Sequence, residues 1–486
     1  MENPTIDIVA RELRLLHSDT LGPIEFHGSS MAPFLRDGDE IVVEPVAFDD
    51  VAVGDVVTFR LEDKFPTYRV VKRRPHKLVL RGDNWPGRIF FAWREDVVGR
   101  VVARRRGDTT LRRGDPAWRA AAAYVRLRDG ARTARHRVAT RVAGLRRRVG
   151  SELARRRTEF LDFPASVQIG ISNPCNLACR MCPYLEVHDF SRELLDAETF
   201  AKFLPVARHL PNVHLSGFGE TLLNKQLLTF VERLRAANPK IAIAVTNNGT
   251  LLKEPIARGL VAAGIDRLVV SLDGATAETV ESIRIGIDFD EVIANVRRFS
   301  AIKRELGATR PVIRLNFMVG YGTYQELVRL VRLAREIGAG EIRLLEMQPA
   351  TEADTRENLL ANLERDGGHT LRHAVKLAQH YGIWLELPTT NDDRCLHPYT
   401  PHTSADGTVF PCCYLAYDRK LFSGGREVTL PSLAFGNVRR QSFAEIWNSP
   451  AYREFRDRTA RGDFTDYCKA CHETRVHTSR KLAEHF

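Results

Sequence analysis

The sequence predicts an α/β protein: an open, partial barrel of six strand–helix units, preceded by a small, mostly-β domain and followed by a loop-rich, cysteine-bearing extension. Three observations predict it. From residue 165 onward short apolar and β-branched runs alternate with amphipathic helical stretches, a pattern that gives parallel strands joined by right-handed crossovers. Before residue 105, β-branched runs are separated by turn signals. All eight cysteines follow residue 174 and fall into two groups.

At 486 residues the chain exceeds one ordinary core, so several domains are expected. With 44% hydrophobic and 27% charged residues it has the composition of a soluble globular protein. No apolar run approaches the roughly 18 to 20 residues that span a bilayer, and no signal-peptide core opens the chain, so a cytoplasmic location is expected. The net charge of +11 is concentrated: residues 101–160 hold 18 Arg and five acids, a net +13, so all other residues sum to about −2. The basic pI therefore describes one segment, and no nucleic-acid partner is expected.

Residues 1–105 form the expected β domain. Its strand candidates are "EIVVEPV", "DVVTFRL", "YRVVKR", "KLVLRG" and "VVGRVV", with turns at Asp37-Gly38-Asp39, Gly54-Asp55 and Gly82-Asp83-Asn84. Residues 106–160 are Arg- and Ala-rich and broken at Gly130, Gly144 and Gly150, which predicts a helical linker. Its basic face suits solvent, and also peripheral contact with an anionic membrane surface or an acidic leader peptide.

Residues 161–389 carry the barrel pattern. "SVQIGIS" (166–172), "NVHLS" (212–216), "IAIAVT" (241–246), "RLVVSL" (267–272), "VIRLNFMV" (312–319) and "EIRLLEM" (341–347) are the six strands. Among the helices, Asp288 as N-cap with Glu291 three residues on predicts a capping box ahead of Phe289, Val292, Ile293, Val296 and Phe299. A helical stretch and the strand "IWLELP" follow, and residues 390–486 are loop-rich and hold the other five cysteines.

In parallel α/β folds functional loops leave the C-terminal ends of the strands. Four successive strands here are followed by polar or Gly-rich stretches: Cys175-x3-Cys179-x2-Cys182, then Gly217-Phe218-Gly219-Glu220, then Asn247-Asn248-Gly249, then Ser271-Leu272-Asp273-Gly274. All four belong on one rim. Three thiolates favour a thiophilic centre and leave it one ligand short. Gly217 and Gly219 permit close backbone approach, Glu220 suits a ligand ammonium, and Ser271 and Asp273 suit ribose hydroxyls.

These residues resemble the radical S-adenosylmethionine (SAM) enzymes, whose signature is CxxxCxxC. The resemblance covers residues 165–475 and implies that Cys175, Cys179 and Cys182 bind a [4Fe–4S] cluster whose fourth iron is chelated by SAM. Gly219 and Glu220 match the family's Gly-Gly-Glu motif; Phe218 stands where its first glycine usually lies, and Thr221 replaces the usual proline. Ser271 and Asp273 match the ribose side, while Asn247, Arg284 and Asn316 are further candidate cofactor or substrate contacts. The family reaction is reductive cleavage of SAM to a 5′-deoxyadenosyl radical that takes a substrate hydrogen, with an electron donor such as flavodoxin or ferredoxin.

The C-terminal pattern of Cys395, Gly407-x4-Cys412, "FGNVRRQSFAEIWNSPAYREFR" and Cys468-x2-Cys471 resembles the SPASM or twitch extension, which carries auxiliary iron–sulfur clusters. One auxiliary [4Fe–4S] cluster is expected, on Cys395, Cys412, Cys468 and Cys471, with Cys413 able to exchange with Cys412. A structural zinc ribbon is the alternative for a C-x2-C pair. An auxiliary cluster suits electron acceptance from a substrate radical, so an oxidation or oxidative cross-link is expected.

"HGSSMAPFLRDGD" (27–39) contains G-x-S-M-x-P-x-L and resembles the S24/S26 serine peptidases of the signal-peptidase and LexA-repressor fold, over residues 22–104. By position Ser30 is the nucleophile. The base should sit just before "RVV", where this chain has Tyr68; Lys72 and Lys64 are each about 13 Å away along the strand. A tyrosine with a pKa near 10 is a poor base at neutral pH. The expectation is a domain that no longer cleaves and holds a peptide substrate or leader peptide instead. Together these readings predict a radical SAM oxidoreductase acting on a ribosomal precursor peptide. The alternatives are oxidation of a small carbohydrate or aminoglycoside-type alcohol, a serine peptidase using Ser30 with an accessory metal domain, and a zinc-stabilised binding scaffold.

Overall fold

The computed structural model describes residues 21–62, 64–84, 89–120, 123, 163–182, 191–320, 322–388, 395 and 397–485, and it divides into two units, Met1–Arg157 and Thr158–Phe486. Most of the expected helical linker lies outside the described residues.

In the first unit, β1 (Leu21–Phe26), β2 (Asp39–Pro45), β3 (Val56–Phe59), β4 (Thr67–Arg73), β5 (Lys77–Arg81), β6 (Phe90–Trp93), β7 (Val97–Arg106) and β8 (Thr109–Arg112) form one antiparallel sheet. Its order is β1-β2-β7-β3-β4-β5-β6, with β8 on β7. Alternation along β2 puts Ile41 and Val43 into the core with Met31, Leu35, Val57 and Leu80, as a half-buried strand requires. The sheet does not stop at 105. Gly107, at a φ of 54°, turns β7 back into β8, and Trp118 packs edge-on against Phe34 at 4.9 Å, so this core draws in the start of the stretch read as linker.

The second unit holds β9 (Val167–Gly170), β10 (Ala178–Cys179), β11 (Asn212–Ser216), β12 (Ala242–Asn247), β13 (Arg267–Ser271), β14 (Arg284–Ile285), β15 (Val312–Val319), β16 (Glu341–Glu346) and β17 (Trp384–Glu386). After these come β18 (His402–Thr403), β19 (Thr408–Phe410), β20 (Arg419–Ser423), β21 (Arg426–Leu430) and β22 (Gly436–Asn437). The main sheet runs β17-β16-β15-β13-β12-β11-β9-β18-β19-β22. All six expected barrel strands are present and parallel, and "IWLELP" supplies β17 as a seventh beside β16.

Alternation along the strands separates two faces. Val213, Leu215, Ile243, Val245, Leu268, Val270, Ile313 and Leu315 join one core with Phe230, Leu260, Val292 and Leu330 from the crossover helices. The opposite face carries half-buried His214, Thr246, Ser271, Arg314 and Asn316, leaving a polar barrel interior. Asp288 caps the helix Phe289–Glu305 by accepting the Glu291 N–H at 2.9 Å. The expected box is half made, because the Glu291 carboxylate pairs with Lys253.

The extension is built onto the barrel sheet. β18 pairs parallel with β9, placing His402 opposite Gln168. This docking requires a glycine: a Cβ on Gly170 would lie 2.3 Å from the Thr403 carbonyl oxygen. The final helix, Asp466–His485, carries Cys468 and Cys471 one turn apart. Among the described residues no helix is long and apolar enough to cross a membrane.

Candidate cluster and nucleoside site

Parallel register brings the loops after β9, β11, β12 and β13 to one rim, where they bind one another. Gly219 N–H donates to the Ser172 carbonyl at 3.1 Å and Glu220 N–H to the Pro174 carbonyl at 2.9 Å. Asn248 Nδ2 donates to Asn176 Oδ1 at 2.9 Å, and Asn176 Nδ2 to Thr250 Oγ1 at 2.9 Å. The cysteine loop is therefore stitched to both of its neighbours.

Gly217 and Gly219 are needed for a reason internal to the chain. A Cβ on Gly217 would lie 2.7 Å from the Ser172 oxygen, and one on Gly219 would lie 2.1 Å from the Pro174 oxygen. These glycines let the turn approach the backbone that leads into Cys175.

Glu220 is 2% exposed. One carboxylate oxygen accepts the Leu222 N–H at 2.9 Å and the other the Asn248 N–H at 2.7 Å. Burial outweighs these two donors and pushes the carboxyl up to about 7. A ligand ammonium at this point would restore the charged form, which fits the amino acid end of SAM.

The cysteines lie at one end of the rim. Cys179 in β10 pairs with Arg284 in β14, and the Cys182 N–H donates to the Cys179 carbonyl at 3.0 Å. Burial pushes the Cys179 thiol up to about 11, and the charges of Cys182 and Cys175 raise it further while Arg284 opposes them. Thiols so placed ionise when a metal supplies the compensating charge. Three thiols on one short loop, near enough to influence one another's charge and beside a buried carboxylate, have the donor chemistry for an iron–sulfur cluster that is one protein ligand short.

The remaining predicted contacts are placed differently from one another. Asn247 braces its own loop, donating to the Val269 carbonyl at 3.0 Å and accepting the Gly249 N–H at 2.8 Å. Ser271 sits opposite Asn316 in the β13–β15 ladder, and Asn316 Oδ1 is buried without a hydrogen-bond partner. Asp273, expected at a ribose, has both oxygens engaged within the protein, with Arg284 Nη2 at 2.5 Å and the Met318 N–H at 2.7 Å.

The cysteines of the second group are close enough to influence one another electrostatically. Burial raises Cys412 well above a free thiol, and the charges of Cys413, Cys395 and Cys471 act in the same direction. Burial likewise pushes Cys471 up to about 12, with Cys395 and Cys468 adding to it and Arg475 opposing. Cys413 is influenced instead by Arg419 and Arg475. Among the described residues no three His, Cys, Asp or Glu side chains are drawn tightly enough around a point to hold a single ion.

Three further groups at this end escaped sequence reasoning. Glu346 closes β16 and accepts a hydrogen bond from Thr478 on the last helix at 2.5 Å; burial pushes it up to about 7. Arg475, on the same helix, donates to His397. His402 is 1% exposed with both ring nitrogens unpaired, and burial pulls it down to about 3. A strand-terminal Glu and an Arg seven residues after Cys468 were visible signals; their meeting was not.

In the first unit, Ser30 lies in the loop after β1 and its carbonyl accepts the Asn84 N–H at 2.8 Å. Tyr68 is turned into the core, its ring stacked on Phe90 at 4.4 Å. The next residue, Arg69, forms a two-point ion pair with Asp83, at 2.8 and 2.7 Å.

Comparison with known proteins gives two family matches: the radical SAM superfamily over residues 169–334, and SPASM, an iron–sulfur cluster-binding domain, over residues 401–472. The chain is 26% identical to a tungsten-containing aldehyde ferredoxin oxidoreductase cofactor-modifying protein of Pyrococcus furiosus, over 59% of this chain and 81% of that protein. It is 32% identical to a probable GTP 3′,8-cyclase of Saccharolobus solfataricus, over 51% of this chain and 82% of the other. Against the probable cyclase of Saccharolobus islandicus strain Y.N.15.51 the match spans 57% of that protein. Among solved structures, Streptococcus suis SuiB bound to S-adenosylmethionine aligns with a TM-score of 0.47 at 18% identity, over 60% of this chain and 68% of that one.

Proposed function

The chain belongs to the radical SAM superfamily, and from that premise we propose that it oxidises a peptide substrate, using the rim cysteines to hold its catalytic cluster. It is an enzyme whose cofactors are a [4Fe–4S] cluster, SAM and auxiliary iron–sulfur chemistry. When bound, the first cluster and SAM together supply a 5′-deoxyadenosyl radical able to remove a substrate hydrogen.

Cys175, Cys179 and Cys182 hold the first cluster, and Glu220 receives the SAM ammonium. The observation that carries this assignment is the buried Glu220 carboxylate, with backbone donors alone as partners, on a turn locked to the cysteine loop. Ser271 and Asn316, adjacent in the ladder, face the polar interior and take the nucleoside or substrate. Cys395, Cys412, Cys468 and Cys471 would hold one auxiliary cluster, which would supply an acceptor for the electron left on the substrate. The chain's own residues orient these groups and shield them from water.

The N-terminal domain holds the peptide without cutting it. Its serine-bearing loop is intact, whereas Tyr68, at the base position, is packed on Phe90 in the core. An electron donor such as flavodoxin or ferredoxin serves the reaction, and the cytoplasm is its proposed location.

The test is mass spectrometry of a candidate precursor peptide co-expressed with the enzyme. Loss of two hydrogens is expected. An unchanged peptide alongside oxidation of a carbohydrate or aminoglycoside alcohol would replace the peptide reading, and labelling of Ser30 by a fluorophosphonate would overturn the non-cleaving role.

A further inference from the structure

We propose that the Asp273–Arg284 ion pair sets the reduction potential of the cluster bound by the cysteine loop. The inference rests on the assignment of Cys175, Cys179 and Cys182 as ligands, and it gives Asp273 a role other than a ribose contact.

The pair is built with direction. β10 and β14 form a two-residue antiparallel bridge that sets Cys179 opposite Arg284, and the Arg180 N–H donates to the Ile283 carbonyl at 2.9 Å, fixing the register. From there Arg284 Nη1 reaches the Cys179 sulfur at 3.9 Å. Nη2 binds Asp273 at 2.5 Å, and Asp273 is anchored on its far side by the Met318 N–H. Asp273 is buried at 3% exposure and Arg284 largely so at 12%. A guanidinium thus faces a ligand sulfur through one terminal nitrogen and its counter-charge through the other. Arg284 Nε is buried without a partner, so the group is placed for the cysteine at the expense of one donor.

Reducing the cluster adds one negative charge. A cation and an N–H at a ligand sulfur favour the reduced state, and a carboxylate behind the cation weakens that preference. The two charges therefore act in opposite senses. Arg284→Gln leaves Asp273 unopposed and moves the potential to more negative values. Asp273→Asn leaves Arg284 unopposed and moves it to more positive values. Arg284→Lys keeps the charge and stays close to the wild type. A pair that merely props up the loop has no such sign.

The experiment is an EPR-monitored redox titration of the anaerobically reconstituted full chain with dithionite and mediators. The first cluster is recognised as the signal that changes when SAM is added. At fixed ambient potential the reduced-to-oxidised ratio is expected to change about tenfold, a displacement of about 59 mV for one electron, in opposite directions for the two charge-changing variants. Shifts of the same sign, absence of any shift, or loss of the cluster from both variants would overturn the proposal. A wild type without a SAM-sensitive signal would instead refute the ligand assignment.

Discussion

The Phe218 ring meets His402 edge-on at 4.7 Å and Tyr417 at 5.3 Å, so the turn that carries Glu220 also reaches into the C-terminal module. Phe218 occupies the place of the family motif's first glycine. It packs with Phe410, Ala416 and Tyr417 in a small apolar cluster. The departure from the motif has a packing role: the side chain anchors the C-terminal module to the turn that carries Glu220.

Phe218→Ala is expected to destabilise the second unit by about 2 kcal/mol, since a large ring is lost from a packed contact between modules. Urea unfolding followed by tryptophan fluorescence measures this. A midpoint equal to that of the wild type would show that the contact is incidental.

His402 pairs its strand with β9 yet leaves both ring nitrogens buried and unsatisfied. His402→Leu removes that penalty and is expected to raise stability by about 1 kcal/mol. Calorimetry checks this; a destabilised variant would contradict it.

Glu346 is lifted from 4.5 to about 7 by burial, opposed by Thr478 and by Arg475. A raised carboxyl means that the folded state binds the proton more tightly than the unfolded one. Its contribution is fully present below about 4.5 and fades as the pH rises through about 7, amounting to roughly 3 kcal/mol. Glu346→Gln should flatten the stability profile across that window, read from urea midpoints at several pH values. An unchanged slope would show that Glu346 is not the group responsible.

Arg69 and Asp83 are 3% and 1% exposed, a buried ion pair in the first unit. Asp83→Leu alone should cost about 3–5 kcal/mol, because it strands a buried guanidinium. Adding Arg69→Met should recover most of that loss. Thermal melts of the two variants test this, and additive losses would contradict it.

Much of the architecture was legible because the chemistry of the strands is local. The β-branched runs and the rim loops could be read off in order, and the parallel ladders put them where that order implied. Roles fixed by tertiary contact were not legible. Asp273 looked like a free strand-end carboxylate, and only the β10–β14 bridge brings Arg284 to it. Gly217 and Gly219 suggested room for a ligand, and the room is taken by the backbone of Ser172 and Pro174. The strand beyond Arg106 was hidden in a run of arginines whose composition favours helix.

The three rim thiols are proposed to hold a cluster whose remaining iron binds SAM. Anaerobic incubation of the full chain with SAM and dithionite, with 5′-deoxyadenosine quantified by liquid chromatography, tests it most directly. The wild type is predicted to form 5′-deoxyadenosine, and Cys175→Ala, Cys179→Ala and Cys182→Ala are predicted to form none. Undiminished 5′-deoxyadenosine from any of these variants, or none from an iron-loaded wild type, would contradict the account.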